Sequence, residues 1–224
     1  MLSAAFAPND GRQLPALVAS TLERARILLG PGRGNPGLEP LLHRLEERLA
    51  TVPVDAGELR SGASVVFGTP SPYPPYEGEH GQAHVFMKLQ TMADVAGFYR
   101  AFGVEVGPTF KDRPDHLAAE LEFMHFLLVK EAHVIEAANE ELARETRRAQ
   151  ALFLSEHLGQ WAPSFLARVA SEGGNPFYIA VAEFGRTFLA IEMTRLGVPA
   201  TSSEITASRP ETEPIDSCPA MPRS

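Results

Sequence analysis

One segment of the sequence holds the strongest candidates for chemistry. Residues 112–127 read Asp-Arg-Pro-Asp-His-Leu-Ala-Ala-Glu-Leu-Glu-Phe-Met-His-Phe-Leu, a helical pattern with carboxylates and histidines at its start. A structural role explains much of this pattern. Asp112 could cap the helix, Asp115 would lie in the first turn, where the helix dipole favours negative charge, and His116 and Glu120 would form an ordinary surface pair. The residues alone favour that role over a ligand site.

A metal site is the first alternative. His116, Glu120, Glu122, His125 and His133 supply suitable ligand atoms. Zinc ligands carried by one helix share a face, however, as two histidines four residues apart do. His116 and His125 are nine residues apart and lie on different sides of the helix, whereas His125 and His133 are two turns apart. The spacing therefore predicts no metal and no other cofactor.

Other catalytic patterns are missing from the sequence. It contains neither a Gly-x-Ser-x-Gly nucleophile motif nor a phosphate-binding loop, and the lone Cys218 lies among prolines. The most glycine-rich stretch of the sequence follows a predicted helix. A dinucleotide site needs such glycines between a strand and the helix after it, so this stretch does not fit one. The sequence predicts a protein that is not an enzyme. A metal- or nucleotide-dependent enzyme of helical fold remains the alternative.

Charge and composition narrow the possible partners. The formal charge of −8 disfavours nucleic acid and permits a basic peptide as partner. A single cysteine favours a reducing compartment. No run approaches the roughly 20 apolar residues that cross a bilayer, and the first residues lack the pattern of a secretory signal. We therefore expect a cytoplasmic protein without a membrane span, as either a monomer or a dimer.

The elements that must position the candidate residues are predicted to be helices. Apolar residues recur at helical spacing over 14–29, 38–49, 83–102, 114–132, 134–158 and 176–196. We expect Trp161-Ala162-Pro163 to break the chain before a short further helix, and Asn175-Pro176 and Gly197 to bound the last one. Val65-Val66-Phe67 could form a short strand or a buried turn of helix.

These patterns predict an all-α fold, a single-domain helical bundle over residues 1–198. Residues 199–224 are rich in Ser, Thr, Pro and Glu and nearly free of large apolar side chains. Such a composition cannot bury enough surface to offset the entropy of ordering. We therefore predict a disordered C-terminal tail.

Four motifs, in order along the chain, resemble those of one protein family. Arg113 to Leu117 followed by Glu120 to Met124 resembles the signature helix of the TorD/DmsD/NarJ family of redox-enzyme maturation chaperones. Residues 92–103 resemble the helix that precedes it in that family, and residues 153–163 resemble a later segment with its Phe-Leu, His-Leu and Trp. Tyr73-Pro74-Pro75-Tyr76-Glu77 is similar to an element of the branch that serves type II dimethylsulfoxide-reductase-family molybdoenzymes.

This resemblance implies a chaperone that binds the apo catalytic subunit of a molybdopterin oxidoreductase. Such a protein holds its client, often through a twin-arginine leader peptide, until the cofactor is inserted and before export. Carboxylates would pair with the leader's arginines, and aromatic and methionine side chains would accept its apolar stretch. By motif match, the candidate client-binding residues are Asp115, His116, Tyr73, Pro74, Tyr76 and Glu77, with Glu120 and Glu122 as second choices.

Overall fold

The computed structural model describes residues 2–7, 14–28, 37–52, 56–67, 73–80, 85–108, 110 and 112–199. The predicted disordered tail lies outside these residues, except for Pro199. Along the described chain the helices are α1 (Leu2–Phe6), α2 (Leu14–Leu28), α3 (Leu38–Ala50), α4 (Ala56–Phe67), α5 (Val85–Ala101), α6 (Leu117–Glu136), α7 (Glu140–Phe153), α8 (Gly159–Glu172) and α9 (Pro176–Leu196). A short 3₁₀ turn spans Glu77–Glu79, and a π-helical turn, Leu154–Leu158, joins α7 to α8.

The all-α prediction is confirmed. Within the described ranges no sheet forms, and the one isolated β-bridge pairs Tyr76 with His116. The short apolar run in α4 is helical, which decides between the two alternatives: Val66 is fully buried, and the Phe67 ring packs edge-on against Phe6 and Tyr178 at centroid distances of 5.9 and 5.5 Å.

Local capping signals set the ends of α9 as predicted. The Asn175 side chain accepts a hydrogen bond from the Phe177 amide at 3.0 Å, and Pro176 occupies the first turn, where a missing amide hydrogen costs little. Gly197 ends the helix with φ +69°, the left-handed conformation that glycine adopts most easily. Because these contacts lie within one turn, the sequence alone could reveal them.

Two predicted helix boundaries were wrong. Helix α6 continues to Glu136, and α7 begins only at Glu140, because Ala138 turns the chain at φ 55° and Asn139 caps α7 through the Leu142 amide. Pro163 does not interrupt the helix either, since it lies inside α8. The π-helical turn just before α8 accommodates an extra residue, as such turns do, and the chain stays helical through the proline.

The core lies between α5, α6, α7, α8 and α9. Helix α6 packs along α7, and α8 packs along α9. Phe153 is fully buried at the end of α7, and its ring contacts the rings of Phe98, Tyr99 and Phe123 at centroid distances of 4.8 to 6.2 Å. These aromatic contacts hold α5, α6 and α7 together directly beneath the motif residues at the start of α6.

Candidate functional site

The segment of residues 73–80, here called the PPYE loop, is attached to the start of α6. The Leu117 amide donates to the Pro75 carbonyl, and the Glu77 amide donates to the Asp115 carbonyl, each at 2.9 Å. The two pairs enclose the β-bridge between Tyr76 and His116. Two motifs about 40 residues apart in sequence therefore form one structural unit.

The buried Asp115 side chain links the two parts of this unit. Its side chain is fully buried, Oδ2 accepts the Gly78 amide at 3.1 Å, and Arg113 donates Nε to Oδ1 at 2.9 Å and Nη2 to Oδ2 at 2.6 Å. Arg113 also donates Nη1 to Glu79 Oε1 at 3.0 Å. Asp115 therefore precedes the helix and binds the loop, and the expectation that it lies in the first turn was wrong.

His116 is the residue that caps α6. Its Nδ1 accepts the Ala118 amide at 3.0 Å, which places the proton of a neutral ring on Nε2, 4.0 Å from Asp112 Oδ2. Burial lowers the pKa of His116, although the carboxylates of Asp112 and Asp115 oppose that shift. Asp112 instead accepts hydrogen bonds from the Arg113 amide and the Tyr76 hydroxyl. The prediction that Asp112 caps this helix was wrong.

Glu120 is a buried acid, not the partner of a surface pair. It is fully buried, and its Oε2 accepts the Trp161 indole N–H at 3.2 Å. Burial first, and then the neighbouring Glu77 carboxylate, raise the pKa of Glu120 well above its ordinary value. Both oxygens of Glu77 lie 3.2 Å from Nδ1 of His157, in the π-helical turn. Glu120 of α6 is thus bonded to Trp161 of α8 and lies near the Glu77 carboxylate of the PPYE loop.

The other loop candidates differ in exposure. Tyr73 is buried, and its hydroxyl donates to Oε2 of Glu172, at the end of α8, at 3.1 Å. The Pro74 carbonyl accepts from His80 Nε2 at 2.8 Å. Tyr76 is half-buried, with the Arg113 guanidinium 4.4 Å above its ring. Only part of the loop therefore reaches the surface.

Glu122 lies apart from the other candidates. Two residues along a helix differ by about 200° in direction, so Glu122 faces away from Glu120. Its side chain is exposed, and Oε2 accepts the Ser3 hydroxyl of α1 at 2.7 Å. The structure thus brings Asp115, His116, Glu120 and residues 73–77 together, and it leaves Glu122 on the opposite side of α6.

An exposed apolar surface borders the PPYE loop. Phe86, Met87 and Leu89 at the start of α5 are 83%, 49% and 58% exposed, and we call them the α5 patch. Lys88, between them, forms an ion pair with Glu79 of the loop. Phe86 and Leu89 belong to the apolar pattern of residues 83–102, yet both are exposed. The signal that could have revealed them is that the apolar residues of α5 are not confined to one face, which is typical of a helix with partners on two faces.

The described residues contain neither a membrane-spanning helix nor a group of metal ligands. None of the described helices is long and apolar enough to span a membrane. Where the chain is described, no three His, Cys, Asp or Glu side chains are grouped closely enough to hold a metal ion. The expectation that the protein has no metal or cofactor stays a prediction.

A sequence model of the family described as nitrate reductase delta subunit matches residues 35–167. The chain belongs to this family. The matched region covers the PPYE loop, the α5 patch and all of α6 and α7, so it includes the whole unit described above. Membership confirms the resemblance to the TorD/DmsD/NarJ chaperones that the motifs indicated.

Individual relatives match over part of the chain. A perchlorate reductase assembly chaperone of Dechloromonas aromatica is 36% identical over 115 residues, which are 51% of this chain and 49% of the relative. A selenate reductase assembly chaperone of Thauera selenatis is 32% identical over 78 residues, 35% of this chain and 39% of the relative. A chaperone protein TorD of Vibrio cholerae is 32% identical over 89 residues, 40% of this chain and 39% of the relative. The chain therefore spans half or less of the length of these relatives.

Proposed function

We propose that this protein is an assembly chaperone that binds the apo catalytic subunit of a molybdopterin oxidoreductase in the cytoplasm and supports cofactor insertion before export. Family membership and the names of three separate relatives support this proposal. The work of such a protein is recognition, so no residue is assigned a catalytic role. Its client would present either its folded surface or a twin-arginine leader.

The α5 patch is the observation that carries the proposal. Large apolar side chains at the surface, next to a polar rim, are typical of a protein-binding site. Phe86 in particular is 83% exposed, although a phenylalanine contributes most when it is buried. The adjoining loop adds the half-buried Tyr76 ring and the carboxylate of Glu79, which is 24% exposed and pairs with Lys88 and Arg113. An apolar client segment with basic flanking residues fits this combination.

The motif residues divide into two roles in this proposal. Pro74, Tyr76 and Glu77 belong to the loop beside the patch and are proposed to contact the client, Glu77 through the small exposed part of its side chain. The buried set, Asp115, His116, Glu120 and Tyr73, is proposed to hold the loop in the conformation that forms this edge. Glu122 belongs to a different surface, on the opposite side of α6.

A matched pair of substitutions tests this function. Phe86→Asp and Val129→Asp each place a carboxylate at an exposed apolar position, 83% and 54% exposed, the first in the patch and the second on α6. The ligand is the cofactor-free catalytic subunit of a molybdopterin reductase from the same organism, added in a calorimetric titration. Because a central aromatic residue can contribute 2 kcal/mol or more to an interface, we expect Phe86→Asp to weaken binding about 30-fold.

The control should bind as the unmodified protein does, and both variants should keep its melting temperature. Equal binding by all three proteins would remove the α5 patch from the client surface. Absence of binding by the unmodified protein would contradict the proposed function itself.

A further inference from the structure

The start of α5 lies directly against the PPYE loop. A Cβ added to Gly78 would lie 3.4 Å from the Cα of Lys88 and 3.2 Å from Oδ2 of Asp115, so the loop backbone is packed between the starts of α5 and α6. Glu79, the next residue of the loop, forms an ion pair with Lys88 and accepts Nη1 of Arg113 at 3.0 Å. One loop carboxylate therefore meets a cation on each side.

The two cations depend on this carboxylate to different degrees. Arg113 donates Nε and Nη2 to the two oxygens of Asp115 at 2.9 and 2.6 Å, a bidentate pair with a fully buried acid. In the described part of the chain Lys88 forms one ion pair, with Glu79. Loss of the Glu79 charge would therefore leave Arg113 paired and Lys88 unpaired.

Lys88 is placed where an unpaired charge would affect binding. Around the axis of α5 it lies about 100° from both Met87 and Leu89, its neighbours in sequence. Those two apolar side chains are 49% and 58% exposed, and the Lys88 side chain is 31% exposed. An ammonium group without a counter-charge would thus border the α5 patch. It would repel basic groups of a docking segment and attract acidic ones.

The PPYE loop is attached by bonds that do not involve the Glu79 side chain. The Glu77 amide donates to the Asp115 carbonyl at 2.9 Å, and the Gly78 amide donates to Oδ2 of the same residue at 3.1 Å. The Glu77 side chain is 12% exposed and lies against His157, whereas the Glu79 side chain is 24% exposed. Glu79 is therefore the more exposed acid of the loop, and its distinctive partner is Lys88.

We infer that Glu79 determines the charge preference of the α5 patch. By neutralising Lys88, it favours an apolar client segment with basic flanking residues over one with acidic flanking residues. This inference rests on the proposed function, in which the α5 patch contacts the client. Specificity is a difference between two affinities, and in this case one paired charge at the border of an apolar surface sets that difference.

Two labelled peptides test this role in fluorescence anisotropy titrations of the full chain. They share an apolar segment of leucine and alanine and differ only in their flanks, which are lysines in one and glutamates in the other. Glu79→Gln keeps the size of the side chain and removes its charge. We expect the preference for the lysine-flanked peptide, measured as the ratio of the two dissociation constants, to fall about fivefold. The change should be smaller at high salt, which screens exposed charges.

A second substitution separates neutralisation from attachment of the loop. Lys88→Met removes the ammonium group and keeps an unbranched side chain. Combined with Glu79→Gln, it should restore the preference of the unmodified protein, because neither charge of the pair remains. A loop that had been displaced would not be repaired in this way. Glu47→Gln removes a carboxylate from an exposed ion pair with His43 on α3, and as the control it should leave the preference unchanged.

The variant Phe86→Asp shows where the peptides bind and should weaken both of them. Equal binding by this variant would place the peptides outside the α5 patch and overturn the inference. The same holds for an unchanged preference in folded Glu79→Gln, for a change that the double variant does not restore, and for absence of peptide binding by the unmodified protein.

Capture of the reductase subunit is measured separately, on the unmodified chain. Capture together with an unchanged peptide preference in Glu79→Gln would reject only the role of Glu79. A changed preference without capture would instead reject only the proposed function.

Discussion

At the scale of single residues, the buried acids Asp115 and Glu120, at the start of α6, explain why the PPYE loop is held in place. Asp115 is fully buried but fully paired, with the Arg113 guanidinium and the Gly78 amide as donors. Glu120 is equally buried, and its Oε1 has no hydrogen-bond partner among the described residues. A buried carboxyl without a cationic partner is costly when ionised, so Glu120 is held as the neutral acid.

Replacing Glu120 by glutamine tests that protonation state. Glutamine keeps the shape and a hydrogen donor but does not titrate. Because the pKa of Glu120 is raised in the folded state, this group's stabilising contribution is complete below about pH 4.5 and is lost as the pH rises through the folded pKa. Glu120→Gln should therefore gain stability relative to the unmodified protein as the pH rises, by at most about 1.4 kcal/mol per pH unit.

The measurement is urea unfolding between pH 5 and 8, analysed as a free-energy difference at each pH. Glu122→Gln, an exposed change two residues along the same helix, controls for the loss of one glutamate. A difference between Glu120→Gln and the unmodified protein that is constant across this range would mean that Glu120 is ionised in the fold.

At the scale of elements, the π-helical turn is what places His157 beneath the loop. It inserts one extra residue between α7 and α8, so that His157 faces Glu77 while Trp161, four residues later, faces Glu120. The widened turn leaves the Leu154 carbonyl close to Gly159, where an added Cβ would lie only 2.3 Å from its oxygen. Glycine is therefore required where α8 begins.

Two glycine-to-alanine substitutions form a matched test of this turn. Gly159→Ala must move backbone, and we expect a loss of about 1–3 kcal/mol in the free energy of unfolding. Gly97→Ala, within α5, meets nothing within 4 Å and should gain about 0.5–1 kcal/mol, because alanine has the higher helix propensity. Chemical denaturation of both variants gives the two values. A neutral Gly159→Ala would mean that the turn can revert to regular α-helix.

At the scale of the whole molecule, the packed helices indicate one core with the single tryptophan at its centre. Trp161 is 2% exposed, and its ring stacks on His80 of the PPYE loop at a centroid distance of 4.9 Å. Its fluorescence therefore reports on the loop and on α8, whereas far-UV circular dichroism reports on all helices. The two signals observe different parts of the molecule.

A single domain should lose both signals together. We expect urea unfolding curves followed by Trp161 fluorescence and by circular dichroism to have the same midpoint, as for a two-state domain. An earlier fluorescence transition would show that the PPYE loop and α8 open before the rest, and it would contradict the predicted single domain. His80→Ala, which removes the stacked ring, identifies the loop's share of the fluorescence signal.

The sequence by itself determined the helical class, the ends of α9 and the family. Each depends on signals that act within a few residues: apolar spacing, the Asn175-Pro176 cap, Gly197, and short motifs at fixed positions. Local signals gave a wrong prediction at Pro163, which was expected to end a helix. The π-helical turn just before α8 changes the backbone there, and the helix continues through the proline.

Only the tertiary structure decided which candidate residues are buried. On an isolated helix, Asp115 and Glu120 would be surface residues. In the fold they are buried, because the PPYE loop and Trp161, each about 40 residues away in the sequence, pack against them. Phe86, in contrast, is apolar but exposed, because no described element covers the outer face of α5. Burial depends on which distant segments meet, whereas helix formation depends mainly on neighbours along the chain, and this is why the fold could be predicted further than the site.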